Sequence, residues 1–292
     1  MPEPTPTPAV PAPSPGGPRR ISKDTTLCLS LSGRPSNIGT RFHNHLYAEL
    51  GLDFVYKAFT TDDIAAAVGG IRALGIRGAG ISMPFKEAVI PLVDHLEPSA
   101  AAIGSVNTIV NEGGRLVAHN TDYVAVARLL AEHGVADVVG TDGPVVVVGS
   151  GGMAKAALAA IRDSGFTDLT VLARNGSSGP ALAGQYGARH RSSLDGLRPA
   201  LLLNATPVGM AGGPEADALP VPAEVVATAR VVFEVVAVPE VTPLVRTARE
   251  HGVPTITGGE VVALQAAEQF VLYTGVRPSA EQVARAAAAS RD

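Results

Sequence analysis

Tryptophan is absent from these 292 residues, and aromatic side chains together make up only 4%. Surfaces that stack nucleobases draw on aromatics, and surfaces that track phosphates draw on a basic excess. The formal net charge here is −4, so no nucleic-acid partner is expected. Cysteine is almost absent as well. Cys28, the only one, lies in the apolar run TLCLSLS; it cannot form an intramolecular disulfide and reads as a packed thiol suited to a reducing cytoplasm. No apolar stretch approaches the roughly 18 to 20 residues of a membrane span, so no membrane partner is expected. His43, His45, His95, His119, His133, His190 and His251 show no ligand spacing with cysteine or carboxylates, and no metal is expected.

What is present is apolar substance: 46% hydrophobic residues, enough for a sizeable core and for two domains. The opening MPEPTPTPAVPAPSPGGPRR has neither a basic start nor a continuous apolar centre, which argues against a signal peptide. Rich in proline and poor in large apolar residues, residues 1–22 are expected to form a disordered tail. From Thr25 onward, short apolar runs such as TLCLSLS, FVYKAFT and GAGISM alternate with helical patterns, and glycines at 113 and 114 predict a hairpin. This alternation predicts an α/β protein with parallel strands and crossover helices.

A second pattern starts at PVVVVGSGGMAKAALAAIRDSG, residues 144–165, followed by DLTVLAR. Four valines predict a buried strand, and Gly149, Gly151 and Ala154 hold the G-x-G-x-x-A positions before a helix. Glycine permits the tight turn and lets backbone N–H groups approach a pyrophosphate at the helix N-terminus. Bracketed by strand, helix and strand, the motif predicts a doubly wound, Rossmann-type dinucleotide-binding domain. The second strand ends in ARNGSSG rather than in an acid, so Arg174, with Asn175, Ser177 and Ser178, predicts NADP as the cofactor.

A nicotinamide domain gives a use to Lys86, the lone lysine of GISMPFKEAV. Hydride transfer at a hydroxyl carbon needs a group that exchanges the hydroxyl proton, and a lysine in a cleft can do so. Asn107 in SVNTIV, with Asn120 and Asp122 in HNTDYVAV, forms polar islands at the ends of apolar segments. Such residues serve either a cleft or the capping of a turn.

GISMPFKE, SVNTIV, HNTD, VVGSGGMAKAAL, NATPVGM, VTPLV and GGEVVALQAAEQFVLYTG occur in an order and spacing that resemble the shikimate dehydrogenase family. LSLSGRPSN and KAFTTDDI make the chain most similar to the shikimate dehydrogenase-like branch. The resemblance implies a substrate-binding α/β domain over 23–125 and an NADP-binding Rossmann domain over 126–260. Helices over 261–290 would pack back on the first domain. It implies Lys86 as proton acceptor with Asp122 positioning it, and Ser82, Asn107 and Gln265 as partners of the substrate hydroxyls. The glycine loop (Gly149, Ser150, Gly151, Gly152, Met153, Ala154), Arg174, Asn204, Thr206 and Met210 fall on the cofactor side.

The implied activity is NADP-dependent interconversion of shikimate and 3-dehydroshikimate in aromatic amino-acid biosynthesis. Quinate or aminoshikimate dehydrogenation, or a decayed ligand-binding module, are the alternatives. The implied partner is a small cyclic hydroxy carboxylate, and a homodimer is left open. Three departures point to a slower or altered reaction. The stretch that usually holds the substrate carboxylate is two residues shorter, leaving Ser36, Asn37 and Thr40 as candidates. A common tyrosine becomes Ala237. A glycine becomes Glu260, an anion expected near the nicotinamide and the substrate.

Overall fold

A computed structural model describes residues 21–194 and 196–291; residues 1–20 of the expected tail lie outside the described residues. The first half runs β1 (Thr26–Ser32), α1 (Ile38–Glu49), β2 (Phe54–Thr60), α2 (Ile64–Ala73), β3 (Gly78–Ile81), β4 (His95–Leu96), α3 (Pro98–Ala101), β5 (Thr108–Glu112) and β6 (Arg115–His119). Two helices follow, α4 (Thr121–Glu132) and α5 (Val135–Val139). The second half runs β7 (Val145–Val148), α6 (Gly152–Asp163), β8 (Leu169–Leu172), α7 (Ser178–Tyr186), β9 (Arg189–Arg191) and β10 (Leu201–Asn204). It continues through α8 (Ala223–Val226), β11 (Val231–Glu234), α9 (Pro243–Glu250) and β12 (Thr255–Ile256), before α10 (Gly258–Thr274) and α11 (Ala280–Ala289).

The first sheet has the order β2-β1-β3-β5-β6-β4. β1 pairs in parallel with β2 and β3, as the alternation predicts, whereas β5 runs antiparallel to both β3 and β6. The sheet is therefore mixed rather than wholly parallel. The cause is the short β5–β6 turn at Gly113 and Gly114, both at positive φ (63° and 99°), because two adjacent strands joined so tightly can pair only antiparallel. One edge of the sheet consequently collects the C-terminal ends of β1, β3 and β6 and the N-terminal end of β5. Beneath it, the His43 ring stacks on Tyr56 with centroids 4.3 Å apart, and burial pushes the imidazole pKa down to about 3. Cys28 is buried as expected, and burial pushes its thiol up to about 12.

The second sheet has the order β12-β11-β10-β7-β8-β9, and every neighbouring pair is parallel. The chain winds outward from β7 through β8 and β9, then returns to build the other side from β10. A crevice forms at such a reversal, outside the carboxyl ends of the central strands. The four valines of β7 are all buried, as a strand covered on both faces requires.

The last two helices return to the first half. Tyr273 of α10 lies so tightly on Gly78 of β3 that a Cβ there would enter its ring. Arg77 donates to the Tyr273 and Leu272 carbonyls (2.9 and 3.2 Å), satisfying acceptors that a helix end leaves unpaired. Arg285 of α11 pairs with Glu49 of α1 at 2.6 Å. Residue 125, the expected boundary, lies inside α4, which packs on both α6 and α10 and so belongs to the joint between the halves. Among the described residues, no helix is long and apolar enough to cross a membrane, and no group of three His, Cys, Asp or Glu could hold a metal ion.

Candidate active site

A cleft of about 260 Å³ opens at the shared edge of the first sheet, facing the start of α6. Ser30 and Ser32 come from β1, Gly80, Ile81 and Ser82 from the end of β3, and Asn107 from just before β5. Asp122 enters from the first turn of α4, where Asn120 caps the helix by accepting from the Tyr123 N–H. The positive end of the helix stabilises an anion at that position. Lys86 follows the turn after β3. Its own carbonyl is held by the Val106 N–H at 2.8 Å, which ties the lysine's backbone to the segment leading to Asn107.

The centre of the cleft is an ion pair: Lys86 Nζ lies 2.5 Å from Asp122 Oδ2. Asp122 is buried, while the lysine side chain is 22% exposed and is therefore the member that a ligand can reach. Asn107 is buried and locked. Its Oδ1 accepts from the Thr121 N–H at 2.8 Å and its Nδ2 donates to Thr121 Oγ1 at 2.9 Å, with Gln265 Oε1 at 3.4 Å. Gln269 donates to the Asn107 carbonyl and to Thr108 Oγ1 (3.1 and 2.9 Å). These bonds fix the rotamers of the amide side chains on the cleft wall, so they need no further ordering to meet a ligand.

The second cavity, about 450 Å³, lies at the strand-order reversal. Gly149 and Ser150 follow β7, Arg174 and Asn175 follow β8, and Thr206, Pro207 and Val208 follow β10. Gly149 has φ +114°, and a Cβ there would come 3.0 Å from the Ala205 carbonyl; only glycine leaves the backbone room that a pyrophosphate requires. The residues present thus fit a dinucleotide. Arg174 makes a two-pronged pair with Glu215 at 3.1 and 3.0 Å. Each member reinforces the other's charge: the carboxyl is held below its ordinary range and the guanidinium above its own. Asn175 Oδ1 accepts from the Ser177 and Ser178 N–H groups, both at 2.9 Å, and Ser178 shares a bond with Ser150 at 2.7 Å.

Of the residues singled out from the sequence, Lys86, Asp122, Ser36, Ser82, Asn107 and Gln265 share the first cleft. Gly149, Ser150, Arg174 and Thr206 share the second. Met153 lines the first rather than the second, since the opening turn of α6 stands between the two. Gly151 and Gly152 open α6 and Ala154 is buried within it, outside both walls. Asn37 occupies the cap position of α1 and Thr40 its first turn, neither on the cleft wall. Asn204 is fully buried: it accepts from the Thr206 N–H and hydroxyl (3.1 and 2.6 Å) and donates to Glu234 at 2.9 Å, bracing the turn from behind. Met210 is exposed and outside the wall.

Glu260 requires a correction. Its carboxylate closes a capping box with Thr257 at the start of α10 and pairs with His133 at 2.9 Å. It is absent from the cleft wall, whereas Val261 and Val262 line it, because the N-terminal turn of the helix points position 260 toward α4. Sequence reasoning passed over Arg34, Tyr56 and Gln269, which line the first cleft, and Glu215, which lines the second. The alternation of FVYKAFT marks Tyr56 as an inward position, and Gln269 stands one helical turn beyond Gln265; Glu215 carries no local signal.

Comparison with known proteins agrees with this geometry. Residues 37–109 match the shikimate dehydrogenase substrate binding domain. A shikimate dehydrogenase-like protein of Haemophilus influenzae is 52% identical over 271 residues, 93% of this chain and 98% of that protein. A shikimate dehydrogenase (NADP(+)) of Streptococcus pyogenes is 36% identical, covering 86% of this chain and 92% of its own length. Among solved structures, the Thermus thermophilus shikimate 5-dehydrogenase in complex with NADP(H) and shikimate superposes with a TM-score of 0.81. The two are 30% identical, over 91% of this chain and 99% of that one. The chain belongs to the shikimate dehydrogenase family. Within it, the 52% relative puts the chain on the shikimate dehydrogenase-like branch.

Proposed function

We propose that this chain is an NADP-dependent oxidoreductase that interconverts shikimate and 3-dehydroshikimate. The observation that carries the reading is the 2.5 Å pair of Lys86 and Asp122 in a cleft that faces the opening turn of α6. NADP, when bound, supplies or accepts the hydride. In the reductive direction the Lys86 ammonium gives a proton to the carbonyl oxygen of the ketone. In the oxidative direction neutral Lys86 takes the hydroxyl proton. Asp122 stabilises the ammonium and holds Nζ in place, and Ser82, Asn107 and Gln265 orient the ring through its other hydroxyls. Glycine at 149 supports close approach of the pyrophosphate, and Arg174 supports recognition of the 2′-phosphate.

The test follows reduced-nicotinamide absorbance for purified protein with shikimate, quinate and aminoshikimate, each with NADP and NAD. Turnover of shikimate with NADP is the expected result. Lys86→Ala should lower kcat by roughly 10²- to 10⁴-fold, the usual cost of removing a general acid–base group, with NADP affinity preserved. No oxidation of shikimate with NADP, or full turnover by Lys86→Ala, would overturn the reading.

A further inference from the structure

The cleft wall carries three charged residues, Arg34, Lys86 and Asp122. Lys86 and Asp122 compensate each other at 2.5 Å, so the arginine leaves one positive charge in excess. Arg34 makes no ion pair and no side-chain hydrogen bond with any other described residue. Its backbone, in contrast, is anchored. The Arg34 N–H donates to Ser32 Oγ at 3.0 Å, and the neighbouring Gly33 N–H donates to the Met83 carbonyl at 3.0 Å. Met83 opens the turn that carries Lys86, so the loop bearing the arginine and the turn bearing the lysine are tied together. Ser32 and Ser36 line the same wall and can add hydroxyl donors beside the guanidinium.

We infer that Arg34 is the residue that grips the substrate's carboxylate, which restricts this cleft to ring compounds carrying one anionic group. The inference rests on the dehydrogenase reading above and deepens it. A guanidinium presents two parallel N–H donors that match the two oxygens of a carboxylate, giving both charge neutralisation and a fixed ring orientation. Of the three candidates the sequence offered, Asn37 and Thr40 stand off the wall at the start of α1, and Ser36 lies on it as a neutral hydroxyl without the charge or the fork.

Kinetics with saturating NADP on shikimate and on its neutral methyl ester test this in wild type, Arg34→Gln and Arg34→Lys, alongside direct measurement of NADP affinity. Arg34→Gln should raise KM for shikimate by roughly tenfold to a hundredfold, as loss of a charge-assisted bidentate pair does, and leave NADP affinity unchanged. Arg34→Lys should recover part of the loss, having the charge without the fork. On the ester, wild type should lose a comparable factor and Arg34→Gln nothing more. An unchanged KM for Arg34→Gln, equal losses on acid and ester, or a loss of NADP affinity would each overturn the assignment. Wild type that neither binds nor oxidises shikimate would overturn the functional reading and this inference together, whereas active wild type with an indifferent Arg34→Gln overturns the inference alone.

Discussion

Arg174 and Glu215 show how a side chain far away in sequence changes the meaning of a motif. The guanidinium proposed to meet a 2′-phosphate is already engaged by a carboxylate 41 residues later, so on that proposal an incoming phosphate must displace it. Glu215→Gln should therefore tighten NADP binding several-fold and leave NAD binding unchanged, while Arg174→Ala should weaken NADP alone. Titration of both nucleotides against the three proteins checks this, and equal effects on NAD and NADP would place the pair outside the phosphate site. Exposed pairs of this kind are weak and are screened by salt, so the difference between wild type and Glu215→Gln should shrink at high ionic strength. The sequence made Lys86, Asp122 and Arg174 legible because each sits in a compact motif at a strand end. Glu215 lies in an irregular segment whose partner comes from a distant part of the chain, and Arg34 in an irregular loop whose place on the cleft wall no spacing rule reports. Glu260 misled for a related reason: its distance from Gln265 is legible, but the side of the helix it faces depends on where α10 starts, and that is set by the Thr257 cap.

The ends of β10 and β11 form a buried polar unit behind the dinucleotide cavity. Glu234 accepts from Asn204 Nδ2, the Val236 N–H and the Thr242 hydroxyl, each at 2.9 Å. Burial nevertheless outweighs these donors and raises its pKa to about 7. For an acid whose folded pKa lies above its unfolded value near 4.5, the folded state holds the extra proton between those values. Stability from this group is thus full below about pH 4.5 and falls as pH rises toward 7, by on the order of 3 kcal/mol. Glu234→Gln keeps the acceptor for Asn204 and Val236 and offers an amide donor to Thr242, so it should remove this dependence. Melting curves at pH 5 and pH 8 check it: the wild type should lose several degrees relative to the variant at the higher pH, and parallel curves would refute the assignment. At this scale the strand, helix and strand from β7 through β8 were readable in the second half, where every strand pairs in parallel. In the first half the reversal at β5 followed from a glycine pair. The buried Asn204–Glu234–Thr242 unit was not readable, because adjacent strand ends meet only once the order of the sheet is known.

The two halves are joined by side chains as well as by the chain. α4 packs on α6 and α10, Lys155 of α6 pairs with Glu87, next to Lys86, at 2.6 Å, and Arg128 of α4 pairs with Glu268 of α10 at 2.7 Å. The seat of α10 on the first sheet is narrowest at Gly78. Gly78→Val should force the Tyr273 ring aside and destabilise the protein by roughly 1 to 3 kcal/mol, a fall of about 2 to 4 °C in Tm for each kcal/mol. It should also raise KM for the cleft's substrate, because Gln265 and Gln269 ride on the displaced helix; unchanged Tm and KM would show that the contact yields freely.

That helix is made well after the strands of the first sheet. A nascent chain carries Lys86 and Asp122 long before it carries Gln265, so the pair proposed for proton transfer emerges without the wall that would hold a ligand against it. Chains cut short before α10 therefore retain those two side chains but not the enclosure, and the competence of this cleft waits on α10 rather than on the emergence of its motifs.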